Sequence, residues 1–199
     1  MSTFTVEDLH FLQWGPIGFS LVAGQCMSIR GASGSGKSLL LRCLADLDPH
    51  QGRIYLNGAE HLSLTAPQWR CKVGLMPATP VWWYDTVGEH LERKHLPHLE
   101  ALGFSSDVLS WNIERLSSGE QQRLALVRLL AHEPEVLLLD EPSANLDQSN
   151  TQQMETLVLS YLKQRQAVAV WVSHDAEQAS RVAQQCFVFQ QRHLLPQTL

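Results

Sequence analysis

The chain has 199 residues, a length for one compact domain with room for a small insertion. Hydrophobic residues make up 44 % and charged residues 18 %, which is ordinary globular usage and excludes disorder as the main state. Lys and Arg number 15 against 20 Asp and Glu, and the formal net charge of −5 argues against nucleic acid as a partner.

Residues 1–8 carry no basic start followed by an apolar stretch, so no secretory signal is expected. Alternation through Phe4, Val6 and Leu9, and again through Phe19 and Leu21, predicts two short antiparallel strands divided at Gly15-Pro16. Residues 25–30 read as a third strand that runs into a Gly-rich loop. A helix over 39–47 follows, ended by Pro49 and Gly52, then a strand over 53–56 closed by Asn57-Gly58. A further strand over 72–76 is stopped by Pro77. From residue 78 to about 131 no strand is convincing, and Leu, His and Glu at helical spacing predict a small helical insertion.

Apolar runs at 135–139, 167–172 and 186–189 then alternate with helical stretches. In the helix predicted over 151–164, Met154, Leu157, Val158, Tyr161 and Leu162 fall on one face. β-branched runs alternating with amphipathic helices argue for an α/β fold with a parallel sheet covered on both sides. No apolar run approaches the roughly 20 residues of a membrane span. Cys26, Cys43, Cys71 and Cys186 are scattered and form no Cys-x-x-Cys pair, which fits reduced thiols.

The strongest local motif is Gly31-Ala32-Ser33-Gly34-Ser35-Gly36-Lys37-Ser38. It fits the phosphate-loop pattern G-x-x-x-x-G-K-[ST] and sits between a predicted strand and a predicted helix. Glycines let several backbone N–H groups turn toward phosphate oxygens, and the helix start adds its positive dipole end. Lys37 would place a point charge at the β- and γ-phosphates, and Ser38 would offer a hydroxyl to Mg²⁺. A second motif, residues 136–141, is a buried strand that delivers Asp140 and Glu141 to the carboxyl edge of the sheet, where ligands of open α/β sheets bind. There Asp140 would hold Mg²⁺ and Glu141 would orient or deprotonate a water. A third, Leu116-Ser117-Ser118-Gly119-Glu120, opens a helix with a capping box between Ser117 and Glu120.

In this order, followed by Ser143-Ala144-Asn145-Leu146-Asp147 and Ser173-His174-Asp175, these motifs closely resemble the ATP-binding subunit of a bacterial ABC (ATP-binding cassette) transporter, over about residues 4–189. A weaker resemblance points to iron-export-associated subunits. The resemblance implies a P-loop NTPase (RecA-like) core over 1–77 and 132–199, with a parallel sheet, a small N-terminal antiparallel β layer and a short helical signature subdomain over 78–131. It implies an ATPase using ATP and Mg²⁺ that forms a head-to-tail homodimer on binding ATP. Ser117, Ser118 and Gly119 of one copy would close on the phosphate loop of the other. Glu141 matches the catalytic carboxylate, His174 the switch histidine, and Asp147 the loop that crosses the dimer. The implied partner is a separate integral membrane permease, which places the chain in the cytoplasm on the inner face of the membrane.

Three departures stand out. Ala78 falls where most members of the family carry a glutamine that touches Mg²⁺ and the attacking water. Ser118 replaces a more usual glycine. The aromatic expected to stack on adenine is Trp14 or Phe11, with Trp14 preferred. Within the insertion, Trp82-Trp83-Tyr84 cannot all face one core, so at least one is expected on the surface of a groove suited to a helix of the membrane partner. His90, His95 and His98 read as a polar helix face rather than a metal site, with Pro97 interrupting that helix. Two other readings remain open: a weakly hydrolysing nucleotide-binding regulatory module, favoured by Ala78, and a non-transport ABC ATPase.

Overall fold

A computed structural model describes residues 2–190 and 192–197. The chain opens with a hairpin of β1 (Thr3–Phe11) and β2 (Trp14–Val22). Its buried positions run Phe4, Val6, Leu9 and Phe11. The step of three arises from a bulge after Val6, where Asp8 adopts φ 50° and re-phases the alternation. Phe11 faces Trp14, so the hairpin turns at residues 12–13 and Gly15-Pro16 lies inside β2, not between the strands. Leu12 supplies the left-handed residue (φ 51°) of the turn, a conformation its side chain does not advertise in sequence.

Strand β3 (Cys26–Arg30) leads through the Gly-rich loop into α1 (Lys37–Leu44). That helix ends earlier than its apolar content suggests, because Asp46 turns left-handed at φ 55° before Pro49 is reached. Strands β4 (Gln51–Leu56) and β5 (Ala59–Glu60) complete an antiparallel sheet in the order β2-β1-β4-β5. A seven-residue helix, α2 (Ala66–Lys72), follows; its two turns are too few to show an apolar period, and only the Thr65–Gln68 capping box and Pro67 in the first turn mark its start in the sequence. Trp69 anchors it, donating its indole N–H to the Leu44 carbonyl at 2.9 Å.

The second sheet contains β6 (Val73–Met76), β7 (Val136–Asp140), β8 (Val168–Val172), β9 (Gln185–Gln190) and β10 (His193–Gln197), in the order β10-β9-β3-β8-β7-β6. All its pairings are parallel except the β9–β10 edge hairpin. Every residue of β7 and β8 is buried, as strands covered on both faces require. Their period of two divides the core. Val136, Leu138, Val168 and Val170 face α1 and the antiparallel sheet; Leu137, Leu139, Ala169 and Trp171 face the helices of the other side.

Between β6 and β7 the chain carries four short 3₁₀ turns at 87–89, 93–95, 106–110 and 113–115, the short α3 (Leu96–Ala101) and the longer α4 (Ser118–Leu130). Pro97 starts α3 rather than interrupting a helix, because a proline in the first turn removes only an N–H that has no helical partner. Helices α5 (Gln148–Arg165) and α6 (Ala176–Val182) complete the fold. Among the described residues no helix is long and apolar enough to cross a membrane.

Candidate nucleotide site

The register of the parallel sheet brings four strand ends together. Ile29 pairs with Val172, Val172 with Asp140, and Leu139 with Met76. The segments leaving these ends are therefore neighbours: the phosphate loop after β3, Ser173-His174 after β8, Glu141 after β7 and Pro77-Ala78 after β6. The backbone stitches two of them directly, with Ser173 N–H donating to Ile29 O at 3.2 Å and Glu141 N–H to Val172 O at 3.0 Å.

The loop ends at Gly36, which caps α1 with φ 102° and gives it no side-chain cap. The first-turn N–H groups of α1 thus remain available to an anion. A Cβ at Gly36 would sit 3.1 Å from Trp14 Cε2 on a backbone that favours glycine, so the loop needs glycine there. Lys37 is 5 % exposed and its ammonium donates to the Gly31 and Ala32 carbonyls, each at 2.9 Å. Burial lowers its pKa, while Glu141 and Asp140 pull it back up.

Asp140 is buried at the end of β7. Burial pushes its carboxyl above the usual carboxylate range and Glu141 adds to this, while a hydrogen bond from Ser38 and the charge of Lys37 oppose it. Ser38 and Asp140 thus present oxygens side by side next to the loop. That donor set suits a hard divalent cation such as Mg²⁺. Glu141 lies next to the loop, closing with residues 33–39 a depression of about 200 Å³. Its Oε1 is 2.9 Å from His174 Nε2. Glu141 also adopts φ 47°, a left-handed conformation that costs a residue with a side chain about 1–3 kcal/mol.

Polar groups that the sequence reading did not single out hold this strained corner. Gln122 of α4 donates its Nε2 to Glu141 O at 2.9 Å and accepts from Asn145 Nδ2 at 2.9 Å. Gln178 of α6 donates to Ser143 Oγ at 2.9 Å and to Glu155 Oε1 at 3.0 Å, and Arg181 grips the same Glu155 with two bonds. In sequence both glutamines have polar neighbours, Gln122 between Gln121 and Arg123 and Gln178 after Glu177, so neither composition nor spacing says that they are buried or whom they meet.

The remaining expected residues fall elsewhere. Ser117 caps α4, with the reciprocal Glu120 contact to its N–H at 2.8 Å. Ser118 and Gly119 follow in the first turn and do not line the depression at the phosphate loop. A Cβ on Gly119 would lie 2.9 Å from Asn145 O, so glycine permits that close approach. Asp147 caps α5, accepting from Asn150 N–H at 2.8 Å. Trp14 packs on Phe189 at 4.8 Å between ring centroids and borders Gly36; Phe11 is buried. Trp83 and Tyr84 are exposed, and Arg128 lies over the rings of Trp82 and Trp83 at 4.2 and 4.6 Å.

Comparison with known proteins agrees with this arrangement. A family model described as ABC transporter matches residues 15–144. The probable iron export ATP-binding protein FetA of Escherichia coli (strain K12) is 35 % identical over 175 residues, spanning 81 % of this chain and 78 % of its own. The aliphatic sulfonates import ATP-binding protein SsuB 1 of Shouchella clausii (strain KSM-K16) is also 35 % identical, over 86 % of this chain and 69 % of its own. Two solved structures share the fold at 22 % identity over 96 % of this chain. A bacterial Atm1-family ABC exporter with ATP bound has a TM-score of 0.86, with 38 % of its chain covered. A dimeric post-hydrolysis ATP-binding cassette bound to ADP and Pi has a TM-score of 0.83, with 96 % covered. By these matches and by the order of its motifs, the chain belongs to the ABC transporter ATP-binding family.

Proposed function

We propose that this chain is the ATP-hydrolysing motor subunit of an ABC transporter, working as a head-to-tail dimer on a separate membrane permease at the cytoplasmic face. The observation that carries the reading is the convergence at one sheet edge of the uncapped α1 start, Lys37, the Ser38–Asp140 oxygens and the Glu141–His174 pair 2.9 Å apart. The N–H groups of residues 33–38 and the Lys37 ammonium bind and orient the triphosphate. Ser38 and Asp140 would hold Mg²⁺, whose charge offsets that of the phosphates. Glu141 takes the proton of the attacking water, and His174 holds the Glu141 carboxylate in place and reaches toward the γ-phosphate. Trp14, at the mouth of the loop, serves the base.

As in the family that the motifs resemble, Ser117–Gly119 would act on the nucleotide of a second copy, with Asp147 at the crossing. The permease has a candidate seat in a groove of about 470 Å³ lined by Cys71, Leu75, Met76, Trp83, Arg128 and Leu129. It runs between the parallel sheet edge and α4. The relatives named above are described as ATP-binding proteins of probable iron export and of aliphatic sulfonate import, and the choice of cargo is assigned here to the permease.

The test is Glu141→Gln. Steady-state hydrolysis should fall about 100-fold or more, because the general base is lost while binding is kept. With Mg·ATP the variant should elute as a dimer in gel filtration. Turnover by the unaltered chain no faster than by the variant sinks the motor reading. It would favour the regulatory module to which Ala78 points.

A further inference from the structure

We propose that Gln122 is a positioning residue for hydrolysis: its side-chain amide sets the backbone of Glu141 and ties it to the start of α4 and to the loop at Asn145. The inference rests on the ATPase reading above.

Gln122 is fully buried, and both ends of its amide are engaged. The donor goes to the carbonyl of the residue whose carboxylate does the chemistry; the acceptor takes the Asn145 amide, four residues further along the same loop. Glu141 O has one other partner among the described residues, the N–H of Ala144 at 3.2 Å. Glu141 sits at φ 47°, so the peptide plane after it does not fall into its place by default and has to be held there. With the plane before Glu141 held by its N–H on Val172 O at 3.0 Å, fixing the plane after it sets the direction of the Cα–Cβ bond, from which Oε1 reaches His174 Nε2.

The chemistry selects a primary amide. A carbonyl on one side needs a donor and an amide on the other needs an acceptor. Glutamate of the same length keeps the acceptor and loses the donor; methionine loses both. The tie also has a mechanical side. Gly119, one turn before Gln122, approaches Asn145 O so closely that a Cβ would lie 2.9 Å away. The first turn of α4, the 143–147 loop and Glu141 therefore move as one body, with Gln122 as the pin.

The experiment uses the full chain with Gln122→Glu, Gln122→Met, Asn145→Asp and the double variant Gln122→Glu/Asn145→Asp. Asn145 is exposed, so its substitution leaves the core intact. In Asn145→Asp the new carboxylate competes for the Gln122 amide and draws it off Glu141. Each variant is followed by kcat and KM for Mg·ATP hydrolysis, by equilibrium nucleotide binding and by thermal melting.

Gln122→Glu is expected to lower kcat about 10- to 100-fold, the scale of a misplaced catalytic group, while nucleotide affinity stays within about twofold. Asn145→Asp should lower kcat in the same way, and the double variant should lose less than the product of the two. A folded Gln122→Glu with unchanged kcat overturns the proposal, as does a loss of kcat matched by an equal loss of nucleotide affinity. Should Gln122→Glu fail to fold, Asn145→Asp decides, and an unchanged kcat there overturns it. No turnover in the unaltered chain overturns the motor reading and this proposal together, whereas normal turnover in all variants overturns only the proposal.

Discussion

Lys37 enters the site already bonded to two loop carbonyls, and burial keeps its pKa below the ordinary lysine value although the neighbouring Glu141 and Asp140 oppose this. A third N–H is left for phosphate, so the loop presents a cation in a defined direction rather than a mobile one. Ala78 contrasts with it. The residue follows β6, next to the strand that ends in Asp140, and offers no polar side-chain atom there. It is partly exposed, so a longer side chain fits without disturbing the core. Ala78→Gln should raise kcat up to about tenfold with little change in stability, since it returns one amide to the edge of the site. Hydrolysis rates of the two proteins at saturating Mg·ATP check this, and a fall in kcat would mean that another group already fills the role. At this scale the phosphate loop, Asp140, Glu141 and the Ser117–Glu120 cap were legible, because each is a local pattern with its own physical reason. Gln122 and Gln178 were not. Their partners lie 19 and 35 residues away, at distances that only the fold sets.

Strand β7 carries the most weight among the elements. It pairs on both sides, buries all five residues and serves two cores by alternating faces. Leu138 is completely buried on the side that packs α1 and the antiparallel sheet. Leu138→Ala should cost about 2–5 kcal/mol, read from the urea midpoint at constant slope. A cost below about 1 kcal/mol would show that this face of the sheet repacks freely. The central parallel strands were readable because a continuous apolar run bounded by Gly or acids has few other homes. The small elements were not. Helix α2 is seven residues long, β10 sits at the sheet edge with little burial, and the turn at 12–13 relies on a leucine in a left-handed conformation. The 78–131 stretch is helical in texture, yet 3₁₀ turns outnumber α-helices before α4. Pro80, Gly88, Pro97 and Gly103 leave room only for short pieces.

In the molecule as a whole, two packed layers share one sheet, and a groove opens beside it where Trp83 and Arg128 lie. The cysteines are distributed unevenly over this plan. Cys26, Cys43 and Cys186 are buried, and burial raises all three thiols, Cys43 to about 11. Cys71 is exposed, on the wall of that groove. Titration with a thiol reagent should therefore count one fast-reacting sulfur in the native chain and four in denaturant. More than one fast reaction would mean that the layers open readily.

The molecule thus comes with a built-in handle at the place where a permease would sit. A bulky adduct on that single sulfur would obstruct docking and leave the phosphate loop, on the far side of β6 and β7, untouched. Engine and gearbox could then be uncoupled in the wild-type chain by a reagent alone, and a reducing agent would reconnect them when the adduct is a mixed disulfide.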